Sequence, residues 1–274
     1  MTTRVSREDA LLLEGVERSA RRDLFAAATD EDRERLGLRA RDVAGGFVMA
    51  ADREDSLLQN RALGLGLEES LSDDVVQEVV DHYRDGPPGF AINLCPFAVT
   101  PETETLLTEY GFGTFFHHLK WMRGAEPVTL QEQGLRVECV GSDQRDAWAQ
   151  LAARIFENPE GHADWSKRVV GRPGWFHYLA YVHDTPIAVG AMFVLDGAAW
   201  LGSGGTLESH RRHGAHRALL ARRIRDGLEH GVRMFTLETG PDWPDLPGDA
   251  LRNAAHAGFH PVYARPSWIW PLPR

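Results

Sequence analysis

The stretch WLGSGGTLESHRRHGAHRALLARRIRDGLEH, residues 200–230, decides the fold because it predicts a strand, a tight turn and a long helix in direct succession. Its first residues are apolar or small, as in a buried strand. Apolar residues then recur at the spacing of one helix face, at Ala218, Leu219, Leu220, Ile224 and Leu228.

The turn within this stretch has the composition of an anion site. Gly214 stands where the chain enters the helix, and a glycine leaves room for a ligand to approach the backbone. The first N–H groups of a helix have no partner within the helix, and the helix dipole favours negative charge there. Arg211, Arg212 and Arg217 add positive charge around this point. The turn therefore predicts a phosphate-binding site.

The six residues RRHGAH, Arg211–His216, resemble the R/Q-x-x-G-x-G/A signature of the GNAT superfamily of acetyl-CoA-dependent acyltransferases. The last position is His216, where the signature has Gly or Ala. A second predicted strand, Met234–Thr239, and a helix closed by Gly258 and Phe259 follow in the order that this family shows. The alternative is an ordinary strand-to-helix turn with a solvated arginine cluster.

The resemblance implies which residues bind the cofactor. In the family, the turn amides hold the pyrophosphate of coenzyme A, and the end of the preceding strand binds the pantetheine arm through its backbone. The three glycines at positions 202, 204 and 205 allow such close approach, although they also suit a simple bend. The implied cofactor-binding residues are Gly205, Thr206, Leu207, Arg211, Arg212, His213, Gly214, Ala215, His216, Arg217 and, on the last helix, Asn253.

Two residues are candidates for the chemistry. Glu238 ends a buried-looking strand beside the cleft that this fold opens, where a shielded carboxylate has a raised pKa and suits a general base or amine anchor. The alternative, with nearly equal weight, is that Glu238 is a structural hydrogen-bond acceptor for the loop that follows. Many members of the family protonate the departing thiolate with a tyrosine on the helix before the Gly-Phe pair. The matching residue here is Ala254, so Tyr263 is the candidate replacement, with His256 as a second.

The two halves of the chain repeat each other. FAINLCP, residues 90–96, aligns with FTLETGP, residues 235–241, and LLTEYGF, residues 106–112, aligns with NAAHAGF, residues 253–259. The N-terminal counterpart of the arginine-rich turn, residues 65–74, has acids and no basic residue, and would repel a pyrophosphate. This predicts one cofactor site, in the C-terminal half. A chance match between two generic α/β segments is the alternative.

The predicted fold class is α/β (α+β), with two GNAT-like units that each contain a mixed, mainly antiparallel twisted sheet flanked by helices. The units are predicted as 1–124, a degenerate domain without a cofactor site, and 135–274, a domain with the acyl-CoA site. Between them lies a polar segment with Gly124, Pro127 and Gly134 and no helical pattern.

Composition limits the partners and the compartment. The net charge of −10 argues against a broad nucleic-acid surface. No apolar run approaches the length of a membrane span, and acids stand where a signal peptide would be apolar. Cys95 and Cys139 are expected to be reduced core residues of a cytoplasmic protein. The histidines show no metal-ligand spacing, so no metal is predicted. The chain is expected to be a monomer, as an internal pseudo-dimer, or a homodimer.

The expected reaction is transfer of an acetyl or other acyl group from coenzyme A to an amine, by direct attack in a ternary complex. A small-molecule amine is the expected acceptor, with Trp243, Asp242 and Asp245 of a Pro- and Asp-rich loop as candidate walls of its pocket. Three alternatives remain. These are acetylation of a protein or peptide amine, a non-catalytic acyl-CoA-binding or regulatory protein, and a GNAT scaffold that performs different chemistry.

Overall fold

A computed structural model describes residues 5–130, 134–240 and 249–270. Its contacts divide the chain into unit 1, Met1–Leu119 with Val262–Arg274, and unit 2, Lys120–Pro261. This differs from the predicted boundaries, 1–124 and 135–274, because the last strand packs in unit 1: Ser267 pairs with Asn93 in an antiparallel ladder. No helix in the described part of the chain is long and apolar enough to cross a bilayer.

Unit 1 is a sheet with flanking helices. Side chains at the N-caps of α1 and α2 accept hydrogen bonds from amides of the first turn. The strands β1, β2 and β3 are antiparallel, β4 joins β3 in parallel, and the last strand, β11, pairs antiparallel with β4. Ser6 caps α1, and Thr29 forms a capping box with Asp32 on α2. The elements are α1 Arg7–Ala26, α2 Asp30–Leu36, β1 Leu38–Val43, β2 Gly46–Ala51, β3 Arg61–Leu63, α3 Asp73–Tyr83, β4 Phe90–Asn93, α4 Pro101–Glu109, β5 Gly113–Arg123 and β11 His260–Trp270.

Unit 2 is built on a meander followed by a crossover. The strands β6 to β9 are consecutive and antiparallel, and β10 joins β9 in parallel after the long helix α7. Tight turns at His183 and at Asp196-Gly197, all with positive φ, connect the meander strands. The elements are β6 Arg136–Cys139, α5 Arg145–Phe156, α6 His162–Ser166, β7 Trp175–Val182, β8 Thr185–Leu195, β9 Ala198–Thr206, α7 Ala215–Glu229, β10 Met234–Thr239 and α8 Asp249–His256.

The predicted repeat is confirmed by the order of elements. The succession α3, β4, α4, β5 recurs as α7, β10, α8, β11, and each half contains one parallel pair of strands. Cys95 is buried as expected, whereas Cys139 is exposed because it ends the short strand β6.

Unit 1 contains a buried cluster of charges, which we call the ion cluster. Arg265 Nη1 lies 2.7 Å from Glu14 Oε2 and 3.1 Å from Glu17 Oε2. Arg61 Nη2 lies 3.3 Å from Glu17 Oε1, and the hydroxyl of Tyr263 donates to Glu14 Oε1 at 2.7 Å. All five side chains are almost fully buried. The cluster thus joins α1 to β3 and β11, with two carboxylates facing two guanidinium groups.

His177 of unit 2 is a buried histidine with no hydrogen-bond partner on either ring nitrogen. Its ring centroid lies 4.4 Å from that of Trp148 and 5.4 Å from that of Trp175, on which it stacks. Burial lowers the pKa of His177 to about 3. The protein therefore holds this imidazole neutral inside an aromatic cage.

We expect His177 to make the protein acid-labile. The pKa of His177 is lower in the folded state, so the unfolded state binds the proton first as pH falls below the ordinary value, and stability is lost from about pH 6.5 down to about 3. The free energy of unfolding should fall by up to about 1.4 kcal/mol per pH unit for this one group. Urea unfolding at pH 7, 5.5 and 4.5 should show a shallower pH dependence in His177→Phe than in the wild type. The same change at exposed His260 should leave the slope unaltered. Parallel slopes for the wild type and His177→Phe would contradict this account.

Candidate functional site

A cavity of about 560 Å³ opens in unit 2 where the end of β9 meets the start of α7. We call it the α7 cavity. Four segments of unit 2 form its walls: the end of α5, the end of β9, the turn with the first residues of α7, and one face of α8. The lining residues are Ile155, Phe156, Gly204, Gly205, Thr206, His210, Arg211, Arg212, Gly214, Ala215, His216, Arg217, Ala250, Arg252, Asn253 and His256.

The pairing of β9 with its parallel neighbour, β10, ends before β9 reaches this cavity. The strand pairs with β10 over Ala198–Trp200 only, but continues to pair with β8 as far as Thr206. The register with β8 shifts between Val189 and Ala191, where β9 contributes an additional residue, and Ser203 there has a φ of 47°. Such a bulge bends the strand and increases its twist. The final residues of β9 therefore present backbone N–H and C=O groups along a side that β10 does not cover.

The N-terminus of α7 forms the charged end of the cavity. Gly214 is its N-cap, with a φ of 87°, and no side chain caps the helix. The first intrahelical bond is donated by Ala218 to the Gly214 carbonyl at 3.0 Å, so the amides before it point out of the helix end. Arg211 and Arg212 are exposed beside these amides. Free amides, a helix dipole and guanidinium groups together favour a negatively charged group at this end of the cavity.

The corresponding helix of unit 1 lacks these properties. The hydroxyl of Ser72 accepts from the amide of Val75, so the side chain of the N-cap residue fills the end of α3. Asp73 and Asp74 stand in its first turn. A phosphate there would compete with the cap and meet two carboxylates, so the electrostatics favour an anion only in unit 2.

The cavity brings together most of the predicted cofactor residues. Those that line it are Gly205, Thr206, Arg211, Arg212, Gly214, Ala215, His216, Arg217 and Asn253. Leu207 and His213 do not line it. The amide of Leu207 donates to the Ile187 carbonyl at 2.9 Å and so continues the sheet, and His213 is exposed in the turn. The binding role of all these residues remains a prediction.

Sequence reasoning missed an apolar wall of the cavity. The end of α5 packs on β9 so closely that a Cβ atom at Gly205 would lie 2.5 Å from Ile155 Cγ2 and 2.9 Å from Phe156 Cζ. Only glycine fits at this position. Nothing in the sequence of α5 distinguishes these two residues from the rest of its apolar face. His256, expected at the surface, is exposed and also lines the cavity, as does Arg252.

Glu238 lies on β10 just after the pairing with β9 ends. It is half-buried and is not among the residues that line the α7 cavity. Its strand is held by Trp121: Trp121 Nε1 donates to Thr239 Oγ1 at 3.0 Å, and Thr236 Oγ1 donates to the Trp121 carbonyl at 2.9 Å. The assignment of Glu238 as base or anchor remains a prediction.

Tyr263, the candidate acid, is placed elsewhere by the structure. It is fully buried in the ion cluster of unit 1, where its hydroxyl donates to Glu14. Burial raises the pKa of this phenol well above its ordinary value, and the negative charge of Glu14 adds to the effect. A buried phenol that already donates to a carboxylate does not reach a leaving thiolate. The structure therefore gives Tyr263 a structural role instead.

Two further predictions concern the acceptor pocket and metal binding. Trp243, Asp242 and Asp245, the candidate acceptor-pocket residues, lie outside the described residues. Within the described part of the chain, no group of three or more His, Cys, Asp or Glu side chains is arranged to hold a metal ion.

Solved structures resemble this chain over nearly its whole length, although no family model and no curated protein matches its sequence. A GCN5-related N-acetyltransferase from Kribbella flavida is 18% identical with a TM-score of 0.60, over 93% of this chain and 96% of that one. A GCN5-related N-acetyltransferase from Sphaerobacter thermophilus is 16% identical with a TM-score of 0.59, over 97% and 93%. A tandem GNAT protein from the clavulanic acid biosynthesis pathway is 16% identical with a TM-score of 0.58, over 85% and 81%. The chain therefore has the tandem GNAT fold that its sequence resemblance predicted.

Proposed function

We propose that this protein is an acyl-CoA-dependent N-acyltransferase that moves an acetyl or other acyl group to the amine of a small molecule. The observation that carries the proposal is the uncapped N-terminus of α7, which faces a cavity lined by Arg211, Arg212 and Arg217. The names of the structural neighbours, which describe acetyltransferases, support the same reading.

The cavity has the parts that an acyl-CoA molecule requires. Its pyrophosphate would accept hydrogen bonds from the first amides of α7, and the arginines would balance its charge. The uncharged arm would lie along the uncovered edge of β9. Coenzyme A would supply an acyl group already activated as a thioester, so the protein need only place the acceptor and manage one proton.

The amine would attack the thioester carbonyl, forming the C–N bond as the C–S bond breaks. The nitrogen must lose a proton in this process, and the departing sulfur leaves as a thiolate that takes a proton from solvent. Glu238, close to the point where β10 leaves β9, is the carboxylate we assign to accept the proton of the amine. No serine or cysteine acyl-enzyme is needed for this direct transfer.

We expect Glu238→Gln to lower kcat by about 10²-fold, because glutamine preserves the shape of the side chain but cannot accept the proton. The assay follows release of free coenzyme A thiol from acetyl-CoA with a panel of small amines, and mass spectrometry identifies the acylated product. The dissociation constant of acetyl-CoA should stay within about twofold. Glu229→Gln, an exposed change on α7, is the matched control and should keep full activity. Unchanged turnover in Glu238→Gln would assign that residue to a structural role.

The rival function is a non-catalytic acyl-CoA-binding or regulatory protein. It is favoured by the absence of a tyrosine at the position of Ala254, which is buried, and by the commitment of Tyr263 to the ion cluster. One equivalent of bound acetyl-CoA with no thiol release in the presence of any amine would support it. A protein or peptide amine is the third candidate acceptor, and thiol release with peptides but not with small amines would identify it.

A further inference from the structure

Two residues that line the α7 cavity each have a buried side-chain atom without a hydrogen-bond partner. The atoms are Thr206 Oγ1, on the end of β9, and His216 Nδ1, on the first turn of α7. A buried polar atom is costly unless a partner is supplied, so a ligand that supplies hydrogen bonds to these atoms would be favoured.

A buried arginine stands behind these two residues. Arg223 of α7 is 2% exposed, and it donates hydrogen bonds to the carbonyls of Leu219, Ala191 and Gly202 at 3.2, 3.0 and 3.1 Å. Within the described residues, no carboxylate pairs with it. Its position depends on Gly190, because a Cβ atom there would lie 3.2 Å from Arg223 Cζ. Arg223 thus fixes the bulged segment of β9 through Gly202 and leaves a positive charge uncompensated by an acid.

The guanidinium group and the imidazole both approach the same side of Gly204. A Cβ atom at that position would lie 3.4 Å from Arg223 Nη2 and 3.4 Å from His216 Nε2. Burial, followed by the charge of Arg223, lowers the pKa of His216 to about 4. His216 is therefore a neutral hydrogen-bonding group near pH 7 and adds no charge for a phosphate. The phosphate-binding charges, Arg211 and Arg212, belong instead to the exposed turn.

We propose that His216, positioned by Arg223, acts with Thr206 as a clamp for the uncharged, amide-containing arm of the acyl carrier. This inference rests on the proposed function and names a specificity determinant within it. The imidazole occupies the place of the small residue that ends the turn signature, and the side chain points inward to β9. The protein accordingly distinguishes carriers by the hydrogen-bonding groups of the arm as well as by the phosphates.

Two ligands distinguish binding of the arm from binding of the phosphates. Acetyl-CoA carries both, whereas adenosine 3′,5′-bisphosphate carries phosphates without the arm. We expect His216→Phe and Thr206→Val each to weaken acetyl-CoA binding about five- to tenfold in calorimetric titrations, because each variant loses one hydrogen bond. Affinity for the bisphosphate should stay within about twofold, His216→Gln should recover most of the lost acetyl-CoA affinity, and the Glu229→Gln control should behave as the wild type.

The positioning role of Arg223 can be tested separately, by measuring the pKa of His216. In Arg223→Met, the NMR titration of the His216 ring should show a pKa raised above its value of about 4, because the neighbouring charge is gone while burial remains. An unchanged titration would mean that Arg223 does not act on His216. If Arg223→Met fails to fold, the variants of His216 and Thr206 still test the clamp.

Several outcomes would overturn the inference. An equal loss of affinity for both ligands would place His216 in the phosphate site, and unchanged acetyl-CoA affinity in both variants would mean that water satisfies the two atoms. In each case the wild type still binds acetyl-CoA, and the proposed function stands. A wild-type protein that binds neither ligand would remove the proposed function itself, and the clamp with it.

Discussion

Gly214→Glu is expected to abolish binding of acetyl-CoA, which the wild type should bind with one equivalent per chain. The substitution puts a carboxylate at the open end of α7, where the amides and the dipole are available for an anion. A like charge within a few ångströms of the pyrophosphate is repulsive, and the new side chain also takes up space at the cavity wall. Calorimetric titration of acetyl-CoA into both proteins is the measurement, with an expected loss of affinity of at least about 10³-fold.

A second glycine provides a matched control. Gly231 follows the other end of α7 and has a φ of 76°, close to the 87° of Gly214, so glutamate meets a similar backbone strain at both. A Cβ atom at Gly231 would have no neighbour within 4 Å. Gly231→Glu should therefore lose comparable stability but keep wild-type affinity. Retained binding in Gly214→Glu would contradict the assignment of the cavity, and two equivalents in the wild type would mean that unit 1 also binds.

Local sequence signals were sufficient to predict the turn and the helix that line the α7 cavity. The turn from Arg211 to His216 combines a glycine, arginines and a following apolar helix, and each of these acts over a few residues. The repeat was visible for the same reason, since short strand and helix segments carry their own patterns. The strand-turn-helix around Gly214 was accordingly predicted with nearly its observed bounds.

The sequence could not predict which distant segments pair or pack with one another. The sequence does not identify the partner of the last strand, β11, which pairs with β4 of unit 1. The same limit explains Tyr263, which was assigned as the replacement for the tyrosine missing at Ala254 and lies in the ion cluster instead. It also explains Ile155 and Phe156, whose approach to Gly205 depends on how α5 packs on β9.

His216 shows how a departure from a motif can be informative. The resemblance assigns His216 to cofactor binding, at a position where the signature has Gly or Ala. In the structure, His216 Nε2 approaches Gly204, which a buried guanidinium group also approaches. Arg223 stands beside Arg222 and near Arg225 in the sequence, and no local feature distinguishes it from these neighbours as the buried arginine. Its environment therefore appears only in three dimensions.

Arg265→Met is expected to lower the free energy of unfolding of unit 1 by about 3–5 kcal/mol, because it leaves Glu14 and Glu17 buried with Arg61 as the remaining guanidinium of the ion cluster. Methionine retains much of the volume, so the loss reports the uncompensated charge more than a cavity. Urea unfolding gives the magnitude, and hydrogen exchange of the backbone amides shows which strands lose protection.

Two variants test this explanation. Arg41→Met removes the partner of Glu78, an exposed pair with a separation of 3.1 Å, and should cost less than about 1 kcal/mol because solvent screens such pairs. Adding Glu14→Gln to Arg265→Met removes one buried charge and should recover part of the lost stability. If protection falls in β6 to β9 rather than in β1 to β4, the assignment of β11 to unit 1 fails. If Arg265→Met loses no more unfolding free energy than Arg41→Met, water reaches the ion cluster. Its charges then contribute no more to stability than a surface pair.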